Sequence, residues 1–157
     1  MPQFAVDFMP FRDDLWFTQE QRTDYFDAVK GELLDRSVIF FDPDIGLETG
    51  TTGYMRKSSP EKYLLYSELK SVWKRSSVDS VVVVYQHLQK DARKRLGDVE
   101  RRVSDLHRLL ETRAYAVQWN DLAFLVVARD GDVGCQMRAS LLRHAQRHSL
   151  AFREHTA

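Results

Sequence analysis

Two carboxylates directly follow an apolar stretch in the segment Val38-Ile39-Phe40-Phe41-Asp42-Pro43-Asp44-Ile45-Gly46-Leu47-Glu48. The apolar residues, bounded by turn-forming residues, predict a buried strand over Val38–Phe41. Asp42 and Asp44 flank a proline at the point where that strand must end, and Glu48 follows in a glycine-containing loop. Because open α/β sheets bind ligands beyond the carboxyl ends of their strands, this segment predicts a functional site.

Polar residues also follow the next two predicted strands. Gln86 and His87 come after Val81–Tyr85, and the strand Tyr115–Trp119 ends in Trp119-Asn120-Asp121. Since the carboxyl ends of parallel strands lie along one edge of a sheet, here called the rim, we expect the three groups to meet there. We predict that the catalytic residues are Asp42, Asp44 and His87, and that ligand is bound by Pro43, Gly46, Glu48, Gln86, Arg93, Trp119 and Asn120.

Each of these residues has a purely structural alternative. Asp42-Pro43-Asp44 could be only a strand-ending turn, because Asp-Pro is common turn chemistry. His87 could cap a helix or lie on the surface, and Trp119 could serve packing alone. Asn120-Asp121 is typical of a tight hairpin turn.

Basic residues cluster at Arg93-Lys94-Arg95, at the predicted start of a helix. The helix macrodipole disfavours cations at that end, which favours an anion nearby. Residues 1–50 hold 11 acidic and 4 basic residues, and residues 51–157 hold the remaining 12 and 19. That asymmetry could steer an anionic partner to the second half of the chain, or it could be the solvated face of a long helix.

The 157 residues fit a single domain, 1–157, with 43% hydrophobic and 29% charged residues and no net charge. The lone cysteine, Cys135, excludes an intrachain disulfide and a cysteine-rich metal site. Apolar runs such as Val81–Tyr85 are too short to cross a membrane. Because Met1–Asp7 lacks a basic start and a long apolar core, we expect no signal peptide and a cytoplasmic location.

Alternating helix and strand patterns predict an α/β fold. We expect a helix from the Thr18/Gln21 capping box to about Leu34, helices at roughly 60–75, 91–111 and 133–148, and a hairpin of Tyr115–Trp119 with Leu122–Ala128. Residues 4–9 form a short strand or an irregular hook, and residues 45–58 form a loop. Strands separated by helices imply right-handed crossovers, so we predict a three-layer sandwich with helices on both faces. Its sheet is mainly parallel and four-stranded, and it ends in an antiparallel hairpin.

The run from Val38 to Ala128 resembles the second half of a class I (Rossmann-like) methyltransferase, in which a strand ends in an acidic-proline motif and a helix, a strand, a helix and a hairpin follow. In amino-group methyltransferases acting on nucleic acid that motif is Asp/Asn-Pro-Pro-aromatic. The resemblance implies that Asp42 and a backbone carbonyl hold a target amino group. Asp44 replaces the second proline and Ile45 replaces the aromatic residue. The Gly-rich turn that binds S-adenosylmethionine does not precede Asp42, and Asp130-Gly131-Asp132-Val133-Gly134 would lie after the last strand.

Three functions follow from these observations. The first is a reduced methyltransferase-like protein that binds a nucleotide or nucleic acid at the rim and is inactive as a methyltransferase by itself. The second is a phosphoryl-transfer or hydrolytic enzyme in which Asp42 and Asp44 hold Mg²⁺ or Mn²⁺. The third is an interaction module without catalysis. The sequence names no cofactor and no definite metal ligand. A sheet that begins at Val38–Phe41 has an exposed edge, which residues 4–9 or a second copy of the chain could cover, and we therefore also predict a homodimer.

Overall fold

The computed structural model describes residues 9–11, 18–49 and 60–155. Their helices are α1 (Arg22–Asp27), α2 (Tyr66–Arg75), α3 (Ala92–Leu110) and α4 (Asp132–Arg147), with 3₁₀ turns at Gly31–Leu34 and Pro60–Lys62. Their strands are β1 (Val38–Phe41), β2 (Gly46–Leu47), β3 (Tyr63–Leu64), β4 (Val81–His87), β5 (Arg113–Trp119), β6 (Leu122–Ala128) and β7 (Ala151–Glu154). The predicted α/β class is confirmed, and none of the described helices has the length and apolar character needed to cross a membrane.

Five strands form one mixed sheet in the order β1-β4-β6-β5-β7, and β2 and β3 form a separate short parallel pair. β1 runs parallel to β4, whereas β6 is antiparallel to both β4 and β5, and β7 is antiparallel to β5. The predicted sheet is therefore correct only in part. The hairpin inserts its second strand between β4 and β5, which leaves one parallel pair in the described sheet, and β7 adds an unpredicted fifth strand.

Helices cover the two faces of this sheet unequally. α1, α2 and α3 pack on one face, here called the closed face, over alternate strand residues such as Val82, Val84 and Leu125. The core between them includes Leu69, Val72, Trp73, Val99, Val103 and Leu106, each at most 5% exposed. The spacing of the α3 members places them on one stripe of that helix, as burial against a sheet requires.

Among the described helices, α4 alone packs on the opposite face, here called the open face. Val133, Met137 and Leu141 of α4 pack over a small core of strand residues, which comprises Val81, Tyr115, Val126 and Ala128. Arg138 of α4 binds Glu154 of β7 through two hydrogen bonds of 2.6 and 2.7 Å. One helix of 16 residues cannot shield five strands, so part of this face stays exposed.

Two predicted helices are interrupted. The helix expected up to Leu34 ends at Asp27, because Lys30 is extended and the chain restarts as the 3₁₀ turn Gly31–Leu34. The helix expected from residue 60 begins only at Tyr66, since Tyr63 and Leu64 pair with Gly46 and Leu47. In both places long-range contacts override local helical periodicity. Of the expected N-terminal strand or hook, residues 4–8 lie outside the described residues, as do residues 50–58 of the expected loop.

Candidate functional site

The carboxylates after β1 lie in different surroundings. Asp42 is exposed, and no ion pair among the described residues involves it. Asp44 is also exposed and lies 3.7 Å from the Nζ atom of Lys62. Because both side chains of that pair are well solvated, the pair contributes little to stability and leaves Asp44 accessible to a ligand.

A buried amide fixes the loop that follows. The Gln86 side chain is fully buried at the closed face, where its Oε1 atom accepts a hydrogen bond of 2.8 Å from Leu47 N. Its Nε2 atom donates to Ile45 O at 3.3 Å. Gly46 has φ +120°, and a Cβ at this position would overlap the Gln86 amide. Gln86 and Gly46, both predicted to bind ligand, therefore position the loop and have no open path to a bound molecule in this conformation.

Glu48 ends the same loop and caps a helix. Its Oε1 atom accepts a hydrogen bond of 2.7 Å from Tyr66 N, the first residue of α2. A carboxylate at this place satisfies a free backbone N–H and interacts favourably with the helix dipole. Glu48 thus has a structural role that accounts for its position, and its second oxygen remains available for other partners.

A layer of buried charge lies beneath the loop. Arg102 of α3 is 4% exposed, donates to Leu47 O at 3.1 Å and pairs with the equally buried Asp98 at 3.2 Å. Burial lowers the pKa of Arg102 despite Asp98, and it raises the pKa of Tyr66. The Tyr66 hydroxyl is buried without a hydrogen-bond partner among the described residues. The closed-face side of the loop is therefore held by α3 as well as by Gln86.

The exposed part of the open face is apolar and aromatic. It consists of Val38, Phe40, Tyr85, Trp119 and Phe124, here called the aromatic surface. Phe40, Phe124 and Trp119 are 50%, 42% and 63% exposed. The ring centroid of Phe124 lies 6.5 Å from that of Phe40 and 5.6 Å from that of Tyr85. The three rings of neighbouring strands therefore form one continuous patch.

Strand register joins the remaining predicted residues to this patch. His87 pairs with Leu122, which pairs with Trp119, so these three residues form one row across β4, β6 and β5. The His87 ring contacts that of Tyr85 at 5.1 Å. Continuing the alternation of β1 past Phe41 puts Asp42 on the same side of the sheet as Phe40. The register thus brings His87 and Trp119 to the open-face side of the rim, and strand alternation assigns Asp42 to the same side.

The other predicted residues lie near this edge in structural roles. Asn120 forms the hairpin turn with φ 53°, a conformation that asparagine tolerates, and its carbonyl accepts from Gln118 at 3.1 Å. Asp91 caps α3, and its carboxylate also accepts from the exposed Arg93 side chain at 3.2 Å. Arg95 donates to Gln89 O and Lys90 O, whereas Lys90 and Lys94 are exposed.

The aromatic surface was not predicted from the sequence. Val81–Tyr85 and Leu122–Ala128 are nearly continuous apolar runs, which predict strands covered on both faces. Local sequence does not report that α4 leaves part of the open face exposed. In β1 both sets of alternate residues are apolar, Val38 and Phe40 on one face and Ile39 and Phe41 on the other. The sequence of β1 therefore does not indicate which face is exposed.

The described residues contain no group of three or more His, Cys, Asp or Glu side chains arranged to hold a metal ion. Asp42 and Asp44 with Glu48 and His87 do not form such a cluster, since Glu48 faces α2 and His87 faces Tyr85. Comparison of the chain with protein-family models, curated proteins and solved structures finds no match.

Proposed function

We propose that the chain is a reduced methyltransferase-like protein that binds a nucleotide or single-stranded nucleic acid at the open-face side of its rim. The observation that carries this proposal is the aromatic surface, which places Phe40, Tyr85, Phe124 and Trp119 on one sheet face. Proteins that bind single strands stack successive bases on such side chains, each stacked base contributing about 1–3 kcal/mol.

The charges at the rim suit the parts of a nucleotide. Lys90 and Lys94 are exposed near the start of α3, which follows β4 directly, and the N-terminus of this 19-residue helix adds partial positive charge. Phosphate groups would bind on this side. Asp42 repels phosphate but accepts hydrogen bonds, so it suits the exocyclic amino group of a stacked base, as the methyltransferase resemblance implies.

The resemblance supports the fold of this proposal more than an activity. The order of β1, α2, β4, α3 and the β5–β6 hairpin is the order that the resemblance implies. A Gly-rich cofactor turn does not precede Asp42 in the sequence. We therefore propose binding without methyl transfer by this chain alone. The single cysteine, which excludes an intrachain disulfide, supports the proposal of a cytoplasmic location.

The test is to measure binding by fluorescence anisotropy with labelled single-stranded oligonucleotides of about ten nucleotides that contain only adenine, only cytosine or only thymine. Trp119→Ala and Phe124→Ala are each expected to weaken binding about 5- to 100-fold, the loss of one stacked base. Val78→Ala is the matched control, because Val78 is 69% exposed outside the aromatic surface. A plot of the logarithm of the binding constant against the logarithm of the salt concentration has a negative slope, and Lys94→Gln should make that slope shallower by about 0.7.

Two outcomes would contradict the proposal. One is the absence of binding at 50 mM salt, and the other is binding that neither aromatic substitution alters. Thymine carries no exocyclic amino group, so a preference for adenine or cytosine that disappears in Asp42→Ala would support the role of Asp42. Equal affinity for all three bases would reject that role alone.

A metal-dependent enzyme is the second candidate, because Asp42 and Asp44 remain exposed within one short turn. Mg²⁺ and Mn²⁺ prefer such carboxylate oxygens. A homodimeric interaction module is the third candidate, since among the described strands β1 is paired on one edge only. The metal-dependent enzyme would be supported by a metal-induced rise in melting temperature that Asp42→Ala abolishes. The interaction module would be supported by a stable dimer without ligand response.

A further inference from the structure

Among the described strands β1 is paired on one edge only, and the direction of the backbone groups on its other edge, here called the free edge, follows from its pairing with β4. Val81 N donates to Ser37 O at 2.9 Å, so the Ser37 carbonyl points toward β4. In a parallel ladder, alternate residues direct both backbone groups to the same neighbour. Ile39 and Phe41 therefore also face β4, and Val38 and Phe40 present their N–H and C=O groups to the free edge.

This edge lacks the devices that prevent strands from pairing with one another. Val38-Ile39-Phe40-Phe41 contains no charged residue and no proline, and β1 has no bulge in its pairing with β4. Val38 and Phe40 are also exposed at 66% and 50%, so the edge joins unpaired backbone groups to an apolar surface. Both features favour a β-strand as the occupant.

We propose that β1 pairs antiparallel with the β1 of a second copy of this chain, with Ile39 opposite Ile39. This register places Val38 of each copy opposite Phe40 of the other, which uses the outward backbone groups of both residues. A two-fold axis perpendicular to the sheet then continues five strands into ten. It also keeps the open faces on one side, so the two aromatic surfaces become continuous.

Charge complementarity favours a second copy over an unrelated strand. Arg36 lies two residues before β1 in a left-handed conformation (φ 44°), and in this register that end of β1 lies near Asp42 of the other copy. The Arg36 side chain is 78% exposed with only a 3.6 Å pair to Asp35, and Asp42 has no cation among the described residues. Asp44 already has Lys62. The second copy would thus supply a cation to the rim. The inference concerns the homodimer candidate and does not depend on the nucleotide ligand.

A short interface predicts a weak, concentration-dependent dimer. An interface of four strand residues and one apolar patch buries less area than a stable interface does. We therefore expect a dissociation constant in the micromolar range. Sedimentation velocity of the full chain over a hundredfold concentration range measures it. Phe40→Lys should weaken dimerisation at least tenfold, whereas Val78→Lys, on an exposed site outside the aromatic surface, should not change it.

Cysteine scanning tests the register independently. The exposed Cys135 is first replaced, as Cys135→Ser, and single cysteines are then placed at 38, 39 and 40. Opposed Ile39→Cys residues would lie about 4.5 Å apart at Cα, within disulfide range. Two Val38→Cys or two Phe40→Cys residues would be diagonal neighbours, about 7–8 Å apart, and should not cross-link.

The outcomes separate the interface from the dimer itself. Cross-linking at 39 alone, with Phe40→Lys monomeric, supports the proposal. A dimer that survives Phe40→Lys and cross-links at none of the three positions overturns this interface while keeping the homodimer. A monomer at every concentration overturns both, and cross-linking at 38 or 40 instead of 39 overturns the register.

Discussion

Individual side chains, rather than the strands, set the shape of the loop after β1. Gln86 lies at a strand position and would have reached a ligand if it faced the open side. Its even position in the alternation of β4 instead directs it into the closed face, where Leu47 N and Ile45 O satisfy its amide. Gly46 leaves the space that this amide occupies. A site residue predicted from sequence can therefore serve the site indirectly, by fixing the loop that carries Asp44.

Gly46→Ala tests this arrangement. The new Cβ would overlap the Gln86 amide, and φ +120° is strained for any residue with a Cβ. We expect the free energy of unfolding to fall by about 2–4 kcal/mol, the sum of overpacking and backbone strain. Urea denaturation measures it. Gly31→Ala is the control, because nothing lies within 4 Å of a Cβ there and it should change stability by less than about 1 kcal/mol.

An equal loss in both glycine variants would contradict the role given to Gln86. So would full stability of Gly46→Ala, since the loop would then tolerate displacement of the amide. The comparison depends only on folding and needs no ligand.

Elements are held together by a small number of buried or bidentate ion pairs. Arg22 of α1 binds the carboxylate of Glu68 in α2, with both side chains under 10% exposed, and it also donates to Tyr63 O. Burial raises the pKa of Glu68, and the neighbouring Arg22 lowers it. The effect of burial is the larger of the two, so the pKa lies above its ordinary value. At the other side of the molecule, Arg138 and Glu154 join α4 to β7.

Arg22→Met should destabilise the protein by about 3 kcal/mol at pH 8, because it leaves an uncompensated carboxylate buried. Without Arg22 the folded-state pKa of Glu68 rises further, so the folded state takes up a proton more readily than the unfolded one. The loss should therefore shrink as the pH falls toward 5. Urea denaturation at both pH values measures it, and Arg22→Met with Glu68→Gln should recover part of the loss. A loss independent of pH would contradict the argument.

Glu154 gives the opposite pH dependence. Its hydrogen bonds to Arg138 lower its pKa below the ordinary value of 4.5. A lowered folded-state pKa contributes stability that is complete above that value and is lost as the pH falls through the folded pKa. We expect Glu154→Gln to lower the melting temperature by about 1–3 °C at pH 7, a modest effect because solvent screens the pair.

At pH 3 the same substitution should have a smaller effect on the melting temperature than at pH 7, because part of the contribution of the carboxylate is lost below pH 4.5, and calorimetry can check this. Glu100→Gln is the matched control, since its pair with Arg153 is 4.0 Å long and exposed. A difference at pH 3 as large as that at pH 7 would mean that Glu154 acts by packing and not by charge.

Element prediction from the sequence succeeded where burial alone decides the outcome. Val38–Phe41 and Leu122–Ala128 have the predicted bounds, and α3 differs from its expected range by about one residue at each end. β7 was missed because Ala151-Phe152-Arg153-Glu154 contains a single large apolar residue, and its pairing with β5 supplies the rest. The insertion of β6 between β4 and β5 is likewise a long-range choice. The rim was predicted from strand ends, but which face each side chain occupies depends on register.

The two faces of the sheet differ in how much apolar surface they expose. The closed face carries three helices and the large core, whereas the open face carries α4 and the aromatic surface. Monomeric proteins expose few contiguous apolar patches of this kind, and those that they expose commonly bind a partner or a ligand. Stacked bases would use the centre of the surface, and a second copy would use its β1 edge. The two proposals are compatible, because Trp119 and Phe124 lie on strands away from that edge.

A thermal-shift titration distinguishes the candidate functions of the whole chain. Ligands that bind only the folded state raise the melting temperature, by about 5–10 °C at a hundredfold excess over Kd for a domain of this size. We expect nucleotides to do so, S-adenosylmethionine and S-adenosylhomocysteine not to, and Trp119→Ala to reduce the shift. A shift with Mg²⁺ or Mn²⁺ that Asp42→Ala removes would favour the enzyme instead. Since Asp42 is exposed, Asp42→Ala should melt normally without ligand, and if it fails to fold, Asp42 is structural.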